Sequence, residues 1–219
     1  MDNKKFWKSI LFIFLFIILN LFMGIINYIF KLNNNRLFNI FGILEEIIIL
    51  FIFILITRIN LKKEFKDFKK DYIPDMFKYW LLGFVLLGIC NAIIALLAGI
   101  DTSTNEELNR KIIHTYPVYA VVAMCITAPM IEELIFRYSF TDTFKSNKTY
   151  AIVTGVIFGA MHVLLSMSTL KELLFIIPYS TLGIALGVIF KKCNNNFFST
   201  FFVHTFHNTL SILLIFLLL

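Results

Sequence analysis

The chain has 219 residues, of which 59% are hydrophobic and 16% charged, with a mean hydropathy of +0.83; soluble domains carry about 45–50% apolar and about 25% charged residues. A soluble enzyme, a disordered binder and a secreted disulfide scaffold are excluded, and the three cysteines, Cys90, Cys125 and Cys193, are odd in number, lack CxxC spacing and read as reduced thiols. The net charge of +6 sits in short loops with no interleaved basic and aromatic pattern, so the expected partner is a lipid bilayer and not nucleic acid.

A membrane-spanning helix needs about 20 mostly apolar residues. Such windows run from Phe6 to Phe30, Leu37 to Thr57, Met76 to Ile100, Tyr116 to Phe140, Tyr150 to Leu165, Leu173 to Phe190 and Phe197 to Leu219. The expected fold is therefore all-α, a polytopic transmembrane helical bundle of seven spans, or eight if His204, His207 and Asn208 break the last run. Lys4, Lys5 and Lys8 give the first run the look of a signal peptide, but the run is too long and no small-residue cleavage site follows, so it is expected to remain.

Two polar stretches divide the chain: the basic segment Arg58 to Lys78, and Asp101 to His114, which reads as a loop. They suggest an N-terminal set of spans with a basic loop over 1–112 and a second bundle over 113–219. With Arg137 set aside, 14 Lys and Arg residues fall on the side of the N-terminus and 5 on the other, which predicts a cytoplasmic N-terminus. Abundant Ile, Phe, Lys and Asn, including the Asn33–Asn35 and Asn194–Asn196 runs, point to an AT-rich bacterial genome and a bacterial cell membrane.

Ionisable groups inside the spans carry the functional signal, because a charge at the bilayer centre costs about 2.5–3.5 kcal/mol on insertion scales and calls for a partner or a task. Glu133 and Arg137 are four apart on the fourth span and can pair. Glu132 is left without a partner on its own helix, and a carboxylate in apolar surroundings is a candidate general base or acid. Pro129 removes a backbone donor just upstream. On the fifth span Phe158 and His162 are one turn apart, and Gly155, Gly159 and Ala160 allow close approach of a neighbouring helix, one that could bring Glu132. On the last span His204 and Asn208 share a face and both can donate hydrogen bonds, the requirement of an oxyanion hole. These parts suit hydrolysis of a carbonyl by an activated water.

Glu132-Glu133-x-x-x-Arg137, Phe158-x-x-x-His162 and His204-x-x-x-Asn208 resemble, in order and residue type, the three motifs of the CPBP (CAAX protease and bacteriocin-processing, formerly Abi) intramembrane proteases, which include the Rce1-type prenyl-protein peptidases. The resemblance covers roughly Tyr116 to Leu213. It implies that Glu132 and His162 activate water, that His204 and Asn208 bind the oxyanion, and that Glu133, Arg137 and Phe158 support them. It implies a peptide or membrane-protein substrate, and no cofactor in the glutamate version; a zinc ion on Glu132, His162 and His204 is the alternative, although no HExxH is present. Counted along the helices, Glu132 and His204 lie about 10–12 Å in and His162 about 18 Å in, with the site expected to open to the cytoplasm.

Three rival readings come from other classes: a bacteriocin immunity protein or scaffold without catalysis, a proton-coupled transporter using Glu45 and Glu46, and a thiol nucleophile at Cys125. His207 reads equally as a packing residue, and His114 as solvated.

Overall fold

The computed structural model describes residues 1–29 and 35–218; the window ends at Phe30 and Leu219, together with Lys31, Asn33 and Asn34, lie outside the described residues. The described residues form helices and no strands. In order these are α1 (Asn3–Ile29), α2 (Asn35–Thr57), α3 (Leu61–Lys66), α4 (Ile73–Ala98), α5 (Thr104–Thr115), α6 (Pro117–Val122), α7 (Ala128–Glu133), α8 (Asn147–Leu164), α9 (Ile176–Lys192) and α10 (Phe197–Leu218). Among them six stretches are long and apolar enough to cross a membrane: Asn3–Ile26, Phe38–Thr57, Lys70–Ala98, Pro117–Tyr138, Leu170–Lys192 and Phe197–Leu217. The all-α polytopic bundle is thus what the chain forms.

The remaining predicted span, Tyr150 to Leu165, is α8, whose 18 residues begin with the polar Asn147-Lys148-Thr149 turn. The break that would have made an eighth span does not occur. α10 runs unbroken through His204 and Asn208, because a histidine and an asparagine placed on its inner face find partners inside the bundle and leave the helical hydrogen bonds intact.

Large apolar side chains on α1, α2 and α4 point outward: Trp7, Leu11, Phe14, Phe51, Leu55, Leu82 and Ile89 are all exposed in the isolated chain, as expected of surfaces that meet lipid tails. The interior is built mainly from α7 to α10, with Phe12, Ile13, Ile49, Phe53, Met76 and Trp80 of α1, α2 and α4 reaching into it. Gly183 and Gly187 of α9 face Gly155 and Ala151 of α8 so closely that a β-carbon at Gly183 would stand 2.7 Å from the Gly155 carbonyl oxygen, and one at Gly187 2.9 Å from the Ala151 Cα. Small residues on both helices therefore let the two backbones touch. The small-residue face of α8 thus receives α9, which corrects the expectation that it receives the helix bearing Glu132.

Hydrogen bonds gather the chain segments at the two ends of the bundle. At one end Asp2 N donates to the Thr143 carbonyl (2.8 Å), Asn196 Nδ2 to the Glu64 carbonyl (2.7 Å), Phe197 N to Glu64 Oε2 (2.9 Å) and Asn194 Nδ2 to Tyr72 Oη (3.1 Å). This end holds the N-terminus, the basic α2–α4 connection and the turns after residues 140 and 192. Cys193 is buried there, and burial pushes its thiol up to about 11, so it stays protonated and inert at neutral pH.

At the other end, the stretch expected to be a loop is a helix. Ser103 caps α5 by accepting from Glu106 N (3.3 Å), and the Ser103-x-x-Glu106 spacing is the signal that announces it. The α5 start is fastened by Glu172, whose carboxylate accepts from Thr104 N (2.8 Å), Thr104 Oγ1 (3.0 Å), Ser168 N (3.1 Å) and Ser168 Oγ (2.8 Å).

Candidate active site

The fourth span is not a plain α-helix. Two π turns, Ala123–Thr127 and Leu134–Tyr138, flank the six-residue α7 that carries both glutamates. In the first, Ala128 N donates to the Ala123 carbonyl. The Met124 carbonyl, one residue on, would then look to residue 129, which is proline and has no N–H. Asn208 Nδ2 of α10 supplies the missing donor at 2.7 Å. In the second, Ser139 N donates to the Leu134 carbonyl (3.0 Å), and the Ser139 hydroxyl serves the Ile135 carbonyl (2.6 Å). Each wide turn inserts a residue into the α register, a device common at functional sites, and here the turns set the direction in which α7 presents Glu132 and Glu133.

Glu133 points into the core. Its side chain and that of Arg137 are 0% exposed, with Arg137 Nε 3.4 Å from Glu133 Oε2. Arg137 Nη2 also donates to the Gly183 carbonyl (3.3 Å), and its guanidinium lies 5.1 Å from the centre of the Phe158 ring. The other Glu133 oxygen, Oε1, is 2.9 Å from His204 Nδ1. An ionised carboxylate only accepts, so Nδ1 of His204 carries the hydrogen and Nε2 is turned the other way.

Glu132 stands where that Nε2 points. Its Oε2 is 3.6 Å from His204 Nε2 and 3.9 Å from His162 Nε2, just beyond hydrogen-bond length. His162 Nδ1 is 3.0 Å from the Phe158 carbonyl oxygen; a carbonyl cannot donate, so this nitrogen holds the proton and Nε2 is the free base. The Phe158 ring lies 4.3 Å from the His162 ring and 5.7 Å from that of His204, wedged between both. Fifteen residues of α8 precede His162 and seven of α10 precede His204. The two helices are therefore offset or inclined relative to one another, which resolves the unequal depths counted along the sequence.

A cavity of about 250 Å³ opens beside these groups, and Glu132, Phe158, His162, His204 and Asn208 all line it. The structure thus brings together the four residues expected to be reactive, with Glu133 and Arg137 behind them. Among the described residues no three His, Cys, Asp or Glu side chains are arranged to hold a metal ion.

Several lining residues escaped the sequence reading because they come from 1–112 or from outside the three motifs. Leu87 of α4 and Asn105, Glu106 and Asn109 of α5 form the far wall. Tyr179 of α9 stacks on His162 with ring centres 5.1 Å apart, and its hydroxyl meets Ser103 Oγ (3.2 Å) and Asn105 Nδ2 (3.1 Å). The one side chain therefore holds a histidine ring and the α5 roof at once. Tyr179→Phe keeps the stack and removes two hydrogen bonds of about 1 kcal/mol each; hydrogen exchange of the α5 amides is expected to speed up several-fold, with α8 unchanged.

Glu46, unassigned from sequence, approaches the first π turn, with Tyr119 Oη (3.4 Å) and Thr127 Oγ1 (3.4 Å) donating to it. His207 is buried against Phe84 and borders the cavity. Cys125 packs among Ile113, Ala120, Ile212 and Ile215, away from the role of nucleophile.

Residues 114–210 match the family described as Rce1-like, type II CAAX prenyl endopeptidase Rce1-like. That stretch is similar to the Rce1-like family. All three motifs fall inside it, so the matched stretch contains Glu132, Glu133, Arg137, Phe158, His162, His204 and Asn208. A protein of unassigned function from Mycoplasma capricolum subsp. capricolum is similar over 199 residues at 27% identity, covering 84% of this chain. The chain spans 58% of the length of that relative. No solved structure matches the chain.

The cavity lies toward one end of the bundle. Its far wall is α5, and α5 lies at the end of the bundle opposite Asp2 and the basic α2–α4 connection. His162 sits two residues, about 3 Å of helix rise, from the α8 end that faces α5.

Proposed function

We propose that the chain is an intramembrane endopeptidase that hydrolyses a peptide bond of a membrane-associated peptide or protein without a covalent intermediate. The observation that carries this reading is that Glu132 Oε2 faces the Nε2 atoms of two histidines, 3.6 and 3.9 Å away, on the wall of one cavity. A water held among them gives its proton to Glu132, with the free Nε2 of His162 accepting its second hydrogen and aiming its lone pair. The hydroxide adds to the peptide carbonyl carbon. The proton then passes from Glu132 to the departing nitrogen as the C–N bond breaks, leaving a carboxylic acid and an amine; the acid's proton moves to the amine, giving a carboxylate and an ammonium group.

The developing oxyanion needs donors. His204 is held at Nδ1 by Glu133, which turns its Nε2 to the cavity as the donor for the oxyanion. One hydrogen of the Asn208 amide is engaged with the Met124 carbonyl, which leaves the second for the oxyanion and fixes the direction of the group. Arg137 offsets the charge of Glu133 in an apolar interior.

The test is cleavage of a fluorogenic peptide library by the purified full chain in lipid vesicles, with and without a zinc chelator. Cleavage that persists with chelator and is lost in His162→Ala is expected. Loss on chelation with recovery on added zinc refutes the metal-free route. No cleavage by the wild type, with a biological effect intact in His162→Ala, favours an immunity or scaffold protein.

A further inference from the structure

The catalytic cavity does not stand alone. A second one, of about 510 Å³, adjoins it and shares Leu87, Glu106, Tyr179, His207, Ser211 and Ile215 with it. The two form one groove from Glu132 toward the α4–α5 connection. Phe84, Leu87 and Leu214 give the groove apolar walls, while Asp101, Glu106 and Arg110 stand at its outer part. A channel apolar within and charged at its outer end suits an extended peptide running in from water, with side chains seated on the walls.

The end at which this groove opens can be compared with the distribution of charge. Lys4, Lys5, Lys8, the seven basic residues from Arg58 to Lys78, Lys145, Lys148, Lys191 and Lys192 make 14 Lys and Arg. Hydrogen bonds between residues 2 and 143, 64 and 197, and 72 and 194 tie these segments into one end of the bundle. The α4–α5 connection and the segment before α9, joined through Glu172 and Thr104, form the other end. Only 5 basic residues belong there by sequence: Lys31, Arg36, Arg110, Lys111 and Lys171. Loops of this length obey the positive-inside rule, so the basic end is cytoplasmic.

We infer that the active-site groove opens on the non-cytoplasmic face of the membrane, and that the substrate is a peptide segment exposed there: an exported peptide or the outer juxtamembrane stretch of a membrane protein. The inference rests on the proteolytic reading for its substrate class, while its topology stands on charge and geometry alone.

Single cysteines in the full-length chain, with the three native cysteines replaced, decide the topology in a bacterial host. Glu107→Cys, exposed on α5, and Asp67→Cys, exposed after α3, are treated with a membrane-impermeant maleimide before and after lysis. Glu107→Cys is expected to label equally in both conditions, and Asp67→Cys at least tenfold more after lysis. The reverse pattern, or equal labelling of both sites in intact cells, overturns the inference. Profiling of new protein N-termini in cells carrying wild type or Glu132→Gln forms the second arm. Wild-type-specific termini in outward-facing segments support the substrate class, and termini in cytoplasmic segments refute it. No wild-type-specific termini would count against the protease reading itself, whatever the labelling shows.

Discussion

Glu132→Gln is expected to lower the rate of peptide cleavage by about 10²–10⁴-fold, the contribution of a positioned general base, while leaving the fold intact. The substitution keeps shape and volume and removes only the ability to take a proton. The two effects separate because of where Glu132 sits. Its Oε2 is buried without a hydrogen-bond partner, so the native protein bears an uncompensated desolvation cost there that a neutral amide lessens. Nothing structural leans on its charge, in contrast to the neighbouring Glu133. Thermal unfolding in detergent should therefore show an unchanged or slightly higher midpoint in the variant that has lost activity. A Glu132→Gln protein that cleaves at the wild-type rate would remove Glu132 from the mechanism and leave the cavity as a binding site.

The adjacent residue should behave in the opposite way. Glu133→Ala is expected to destabilise the protein by about 3–5 kcal/mol, the usual consequence of removing one partner of a buried ion pair. Arg137 is fully buried and keeps only the Gly183 carbonyl and the Phe158 face as polar compensation. His204 loses the acceptor of its Nδ1 hydrogen, so ring orientation and tautomer are released together. The double variant Glu133→Leu with Arg137→Met replaces both charges by apolar groups of similar size and should recover most of the stability, yet no activity, because His204 is still unsupported. Unfolding midpoints and cleavage rates of the single and double variants check this directly. Full stability in Glu133→Ala would mean that Arg137 finds another partner and that the pair does not organise the core.

The contrast between the two glutamates shows how far residue spacing carries. That Glu133 pairs with Arg137 follows from a separation of four on one helix, a local relation that any α-helix produces. That the histidine four residues before Asn208 is oriented by Glu133 crosses 71 positions of chain and has no local signature. Asn208 is the clearest case. Its residue type and its spacing from His204 suggest an oxyanion donor, whereas its bond to Met124 exists because a π turn and Pro129 together leave one carbonyl without a backbone donor. Periodicity cannot reveal a π turn, because the inserted residue leaves composition unchanged and alters only register.

Composition and hydropathy determined that the chain is a helical membrane protein, since a bilayer accepts a backbone only when its polar groups are satisfied internally, and three short motifs marked the residues that meet at the cavity, since an ionisable group in an apolar run calls for a partner or a task. Tertiary structure alone decided which helix lies against the small-residue face of α8, that Tyr179 and α5 line the site, and that the cavity lies toward the end away from the basic connections. Those outcomes depend on contacts between segments tens of residues apart, set by backbone approach, helix inclination and satisfaction of stray carbonyls, none of which leaves a periodic trace in the order of the amino acids.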